Sequence, residues 1–246
     1  LTGRTTQEKT MTEHTVSAFD AELKDLQRTI AEMGGIAERM LSDAVEALAR
    51  QDTRLAQKIV ATDQRLDALQ REIEEMAIHT IARRQPMAVD LRDVIATIRI
   101  ANDLERVGDL VKNMAKRIMA MENNFPPQKL LVGLNGITML ALQQFKTVID
   151  AYTTRDAMAA LSVWQRDGEI DNLYNSLFRE LLTYMMEDPR NIGFCTQLLF
   201  SAKNIERIGD HATNIAETVY YLVTGENLAL DRPRGESEEL AVAAGA

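Results

Sequence analysis

The chain has 246 residues, of which 46 % are apolar and 26 % charged, and its formal charge is −9. That length buries a sizeable core, and the acidity excludes a general electrostatic pull towards nucleic acid or an anionic membrane surface while suiting a cation. Cys195 is the only cysteine, so no intrachain disulfide forms, which fits a reducing compartment. Its neighbours Phe194 and Leu198 mark it as a small core residue.

Glycine and proline are sparse, at 12 and 5, and long stretches rich in Ala, Leu, Glu, Arg, Gln and Met favour helix over strand. The first residues, Leu1 to Glu13, lack the apolar centre of a signal peptide, and Met11 is a candidate start with residues 1–10 as an extension ahead of it. No apolar run approaches the ~18 residues that span a bilayer.

Three helices are predicted first, over residues 16–50, 53–84 and 87–123. Asp52 is placed to cap the second. Pro86 separates the second from the third and suits the first turn of a new helix. The pair Gly34–Gly35 inside the first helix costs about 2 kcal/mol relative to two alanines and points to a kink or a close helix approach. Pro126 and Pro127 then interrupt the chain. Three more helices follow, over 129–153, 156–186 and 189–223, with Asp188 and Pro189 reading as a cap followed by proline at the first helical position. The residues from Gly225 onward are acidic and end in small side chains, and read as a disordered tail.

The two halves repeat. Asn102-Asp-Leu-Glu-Arg-Val-Gly-Asp109 returns as Lys203-Asn-Ile-Glu-Arg-Ile-Gly-Asp210, shifted by 101 residues, while a shift of 104 lays Asp52, Asp63, Asp67 and Leu69 on Asp156, Asp167, Asp171 and Leu173. The expected fold is therefore all-α, with six long helices forming two pseudo-symmetric three-helix bundles by internal duplication. The units are expected at 16–124 and 127–224, with 225–246 as the tail. An apolar seam alternates spacings of three and four through Leu104, Val107, Val111, Met114, Ile118 and Met121, and again through Ile205, Ile208, Ala212, Ile215, Val219 and Leu222. The methionines in it read as core filler.

Beside each seam lies a row of polar residues four apart: Glu105, Asp109 and Asn113, then Glu206, Asp210 and Asn214. The preceding helix of each half carries Asp63 with Asp67, or Asp167 with Asp171. Packed side by side, these pairs repel, and a multivalent cation relieves the conflict. Oxygen ligands suit magnesium, calcium, manganese or iron and tolerate zinc. The residues leave a second reading equally open, a solvated face laced by salt bridges from Arg65, Arg106 and Arg207. Gly108 and Gly209, mid-helix at matching places, favour tight helix packing over contact with a bulky ligand. His211 reads as a bystander and Trp164 as a core anchor. No Glu-x-x-His, Gly-rich phosphate loop, Gly-x-Ser-x-Gly or Cys-x-x-Cys is present.

The duplicated Asn-Asp-Leu-Glu-Arg-Val-Gly-Asp and Asn-Ile-Glu-Arg-Ile-Gly-Asp-His-Ala-Thr-Asn-Ile-Ala-Glu segments, each preceded by an Asp-x-x-x-Asp helix, resemble the PhoU family over about residues 16–223. The resemblance implies a non-enzymatic, cytoplasmic negative regulator of the phosphate-starvation response. It implies partners in the ATPase subunit of the phosphate-specific transporter and the sensor histidine kinase PhoR, a homodimer, no nucleic acid, and membrane contact only through those partners. It implies a multinuclear metal cluster, iron or zinc, with magnesium or manganese as further candidates. The ligands would be Asp63, Asp67, Glu105 and Asp109 in one half and Asp167, Asp171, Glu206 and Asp210 in the other, supported by Asn113, Asn214, Arg106 and Arg207. Two other readings compete with this one: a metal-dependent hydrolase, which needs a positioned acid or base, and a purely structural helical scaffold.

Overall fold

A computed structural model describes the backbone of residues 3–121 and 128–228 and the side chains from residue 19 onward. Pro126, Pro127 and the tail beyond residue 228, on which two of the expectations fall, lie outside the described residues. The first half folds as α1 (Gly3–Arg50), α2 (Thr53–Arg84) and α3 (Val89–Ala120). The second folds as α4 (Leu131–Thr154), α5 (Ala157–Gln165), α6 (Asp167–Glu187) and α7 (Ile192–Thr224). No strand occurs among the described residues.

The caps follow the sequence. The Asp52 carboxylate accepts from the Arg54 and Leu55 amides at 3.0 Å each. Asp156 does the same for Met158 and Ala159 at 2.9 and 3.0 Å, so both halves open their second helix with one device. Asp188 accepts from the Arg190 amide at 2.9 Å, and Pro189 begins a single 3₁₀ turn that runs into α7.

Three boundaries differ from expectation. α1 begins at Gly3, well before residue 16, because Gln, Glu, Lys and Met after that glycine carry helix propensity and no breaker intervenes. Pro86 lies in the connection, not in the first turn of α3: Gln85 closes α2 in the left-handed region and α3 starts only at Val89. The fifth predicted helix is delivered as two. Buried Gln144 of α4 donates to the Arg166 carbonyl at 3.1 Å, and that carbonyl also accepts a short-range bond from the Glu169 amide. The turn tightens there, Arg166 leaves the helical region, and α6 restarts at Asp167.

Within each half the helices bury one shared stripe. Every seam residue named above is at most 5 % exposed, including Met114 and Met121. Trp164 packs at the core edge and donates its indole N–H to Glu217 at 3.2 Å. Cys195 is buried, and burial pushes its thiol pKa up, which makes it inert.

The halves join through α3 and α7, which run antiparallel. Arg117 meets Gln197 at 3.3 Å, the Asn204 amide donates to the Leu110 carbonyl at 3.3 Å, His211 Nδ1 lies 2.9 Å from Asp103 Oδ1, and Arg92 stacks over Tyr221. Under the 101-residue shift Asp103 corresponds to Asn204 and Leu110 to His211. The two central contacts are therefore one contact seen from both sides of a local twofold axis. A second junction lies between α1 and α4. A Cβ on Gly34 would sit 2.9 Å from Ile149, so the close approach expected at Gly34–Gly35 is to α4.

Candidate functional site

α2 and α3 lie side by side because Gly108 lets them. A Cβ there would stand 2.5 Å from Leu66 Cδ1 and 3.2 Å from Asp63 Oδ1. Gly209 serves α6 and α7 in the same way, against Ile170 at 2.6 Å. Both glycines thus answer to helix packing. The close contact brings the acidic pairs of neighbouring helices together. Asp63, Asp67, Glu105 and Asp109 share one electrostatic neighbourhood, as do Asp167, Asp171, Glu206 and Asp210.

The two quartets are not alike in detail. In the first, Asp63 is 3 % exposed, and burial raises its carboxyl pKa against the pull of Lys112. Lys112 reaches across from α3 and donates to Asp63 Oδ2 at 2.6 Å and to Asp109 Oδ1 at 2.5 Å. Burial alone would lower the lysine's pKa; the two carboxylates outweigh it and hold the ammonium well above its ordinary range. Asp63 Oδ1 is buried with no hydrogen-bond partner. Burial, with Asp109 beside it, also raises Glu105.

In the second quartet, burial and then the charges of Glu206, Asp167 and Asp171 push Asp210 up to about 6, with Lys203 opposing. Glu206 Oε1 accepts from Lys203 at 2.6 Å, and Glu206 Oε2 is buried without a hydrogen-bond partner. Thr213 donates to Asp167 Oδ1 at 2.7 Å.

Of the candidate supporting residues, Arg106 stays beside the first quartet. Asn113 is exposed, and Asn214 donates to Asp103 of the other half at 3.3 Å. The 3.6-residue turn carries each of them round from the acid row. Arg106 is 64 % exposed, with loose contacts to Glu105 and Asp109 at 3.6 and 3.9 Å. Arg207 is exposed. Arg65 turns to Glu32 on α1 at 2.8 Å. His211, read as a bystander, instead ties the two halves. The residue that sequence reasoning missed is Lys112. Its signal was available as a lysine three residues after Asp109, on the same face.

Among the described residues, no three acidic or imidazole side chains stand as a ready-made coordination sphere. The donor chemistry still discriminates between the halves. Each quartet has a buried carboxylate oxygen without a hydrogen-bond partner, Asp63 Oδ1 in the first and Glu206 Oε2 in the second, and the second adds a crowded, destabilised Asp210, which a cation would relieve by drawing the side chains inward. The first quartet already holds an ammonium between its helices.

The sequence matches the PhoU domain family twice, over residues 30–118 and 134–219. The chain belongs to the PhoU family. It is 59 % identical over 223 residues to the phosphate-specific transport system accessory protein PhoU homolog of Rhizobium meliloti, covering 91 % of this chain and 94 % of that one. The homolog of the same description from Caulobacter vibrioides is 52 % identical, covering 91 % and 97 %. The crystal structure of PhoU from Pseudomonas aeruginosa superposes with a TM-score of 0.81 at 40 % identity, covering 85 % of this chain and all of that one. That of the phosphate transport system regulatory protein PhoU from Streptococcus pneumoniae gives 0.79 at 31 % identity, covering 86 % and all of it. Among the described residues no helix is long and apolar enough to cross a membrane.

Proposed function

We propose that this chain is a cytoplasmic, non-enzymatic negative regulator of the phosphate-starvation response. It modulates high-affinity phosphate uptake as an adaptor between the ATPase subunit of the phosphate-specific transporter and its sensor histidine kinase, and acts as a homodimer. The observation that carries this reading is the near full-length likeness to phosphate-specific transport accessory proteins, 59 % identical over 91 % of the chain. Residues 16–124 and 127–224 are the two repeat units of this adaptor, followed by a tail at 225–246.

The acidic quartets are proposed to hold divalent or iron cations. Asp63, Asp67, Glu105 and Asp109, with Asp167, Asp171, Glu206 and Asp210, are the candidate ligands, and the orphaned oxygens of Asp63 and Glu206 support the reading most directly. A bound cation would supply charge neutralisation and a cross-link between neighbouring helices.

Deletion of the gene tests the regulatory reading. Starvation-gene expression is expected to be high in phosphate-rich medium and to return to the repressed level on complementation. Unchanged repression in the deletion strain overturns it. Affinity capture from phosphate-replete cells is expected to recover the transporter ATPase and the kinase together.

A further inference from the structure

We propose that the arginine-lined groove where α3 begins and α7 ends is a seat for an acidic peptide segment, and that its occupant is this chain's own segment 236–242. The groove involves neither acidic quartet and does not depend on how they are read.

A cavity of ≈ 380 Å³ opens along α3, lined by Ala88, Leu91, Arg92, Ile95 and Arg99, with Tyr221 of α7 facing them. These lining residues bring two guanidiniums and no carboxylate, in a chain whose formal charge is −9. Arg92 donates to the Tyr221 carbonyl at 3.4 Å and stacks on its ring, which fixes it to the wall. Arg99 is exposed and has no ion-pair partner among the described residues. Asp103, one turn further along α3, is already engaged by His211 and Asn214. Leu91 and Ile95 are exposed beside the arginines, and exposed Met87, Val89 and Val223 extend the apolar surface at the same end of the molecule.

Three features select the occupant. The first is continuity. Gly225 closes α7 at φ 80, and a Cβ there would meet the Arg92 guanidinium at 2.7 Å. The chain leaving α7 thus passes directly over the first arginine, and Leu228 packs back on the core. From Leu228 to Glu236 an extended chain reaches up to about 26 Å, against about 10 Å between Arg92 and Arg99 along their helix. The second feature is charge and spacing. Glu236, Glu238 and Glu239 bring three carboxylates, and Leu240 and Val242 follow them with apolar side chains. Carboxylates three residues apart in an extended segment stand about 10 Å apart, which matches the two guanidiniums. The third feature is the duplicate corner. Under the 101-residue shift Arg92, Arg99 and Tyr221 answer to Gly193, Phe200 and Ala120. That corner has neither guanidinium, and the sequence following α3 there carries one acid, Glu122, ahead of Pro126. The arginine pair and the acidic segment therefore occur once each, at the same end.

Seated in the groove, the segment gives each guanidinium a carboxylate and covers Leu91 and Ile95. A partner's acidic segment that sought the same arginines would have to displace it.

The test uses the full chain carrying Arg99→Lys, an exposed position at which the charge is kept and an amine supplied. A carbodiimide then joins that amine to any carboxylate in direct contact, taking up the water as its urea. Peptide mass spectrometry is expected to find position 99 joined to Glu236, Glu238 or Glu239. The link between Lys112 and Asp63, which lie 2.6 Å apart, is the internal control. Mixing isotopically labelled with unlabelled chains is expected to place the position 99 link within single chains. In a second variant, Arg99→Glu, a glutamate-specific protease is expected to cut at residues 236–239 about fivefold faster, since an exposed charge pair is replaced by repulsion. The proposal is overturned if the control link forms while position 99 is joined to none of the three glutamates, or if the link runs only between labelled and unlabelled chains. Unchanged cleavage of Arg99→Glu overturns it as well.

Discussion

Replacing Gly108 by alanine puts two known quantities in opposition at the contact that brings the first quartet together. On an open helix surface the change favours the helix by about 0.5–1 kcal/mol. Gly136 on α4 is such a place, since a Cβ there meets nothing within 4 Å. At Gly108 the new Cβ falls 2.5 Å from Leu66 Cδ1, and Leu66 is itself fully buried, so it has little room to withdraw. Overpacking of this kind costs about 1–3 kcal/mol. The net expectation is a loss of about 1 kcal/mol for Gly108→Ala and a gain of somewhat under 1 for Gly136→Ala. The two variants should therefore differ by about 2 kcal/mol although the chemical change is identical. For a chain of this size that separates their melting temperatures by roughly 4–8 °C. Thermal melts followed by circular dichroism measure it, and a Leu66→Ala background should remove the penalty specific to Gly108. If Gly108→Ala proved as stabilising as Gly136→Ala, close packing would not be what holds α2 to α3.

Asp210→Asn in metal-stripped protein should raise the melting temperature at pH 7.5 and leave it unchanged at pH 4. The carboxyl is moved up from 3.8 to about 6, so its ionisation opposes folding above that range, and the penalty disappears as pH falls through the folded value towards the unfolded one. Two units would be worth about 3 kcal/mol in full burial, and solvent screening brings this to about 1–2. Asp52→Ala and Asp156→Ala each leave two helix-start amides without their carboxylate and should each cost about 1 kcal/mol in denaturant unfolding. Asp103→Ala removes the acceptor of both His211 and Asn214, and should destabilise by about 1–3 kcal/mol. Hydrogen exchange should report that loss as faster opening along α3 and α7 together.

The parts of this fold legible in the sequence are those fixed by neighbours along one helix. The seam from Leu104 to Met121 is readable because spacing alone decides which side chains share a face. The Asp52 and Asp188 caps are readable because the amides they satisfy lie two or three residues away. The interruption at Arg166 is not readable in this way, because its cause is Gln144, twenty-two residues distant on another helix. The quartets were legible as residues, since repetition marked them, but their contents were not. Whether Lys112 turns inward or Arg106 turns outward depends on the angle at which α2 meets α3, and the angle belongs to the pair. Asn113 and Asn214 illustrate the same limit: four residues advance a helix by slightly more than one turn, and two such steps carry a side chain off the row.

The local twofold between α3 and α7 bears on what covalent linkage of the repeats makes available. Two identical three-helix units meeting about such an axis would have to present the same residue on both sides of it. An aspartate facing histidine at one crossing would face histidine again at the other. Here Asp103 meets His211 while its counterpart Asn204 meets the Leu110 carbonyl, and Lys112 is answered by Thr213. Joining the copies in one chain frees each position to diverge from its twin while the apolar seam keeps the symmetric frame. Differentiation of the halves is thus confined to polar positions flanking a conserved geometry, where a single substitution changes the charge of one face and leaves the packing of the other untouched.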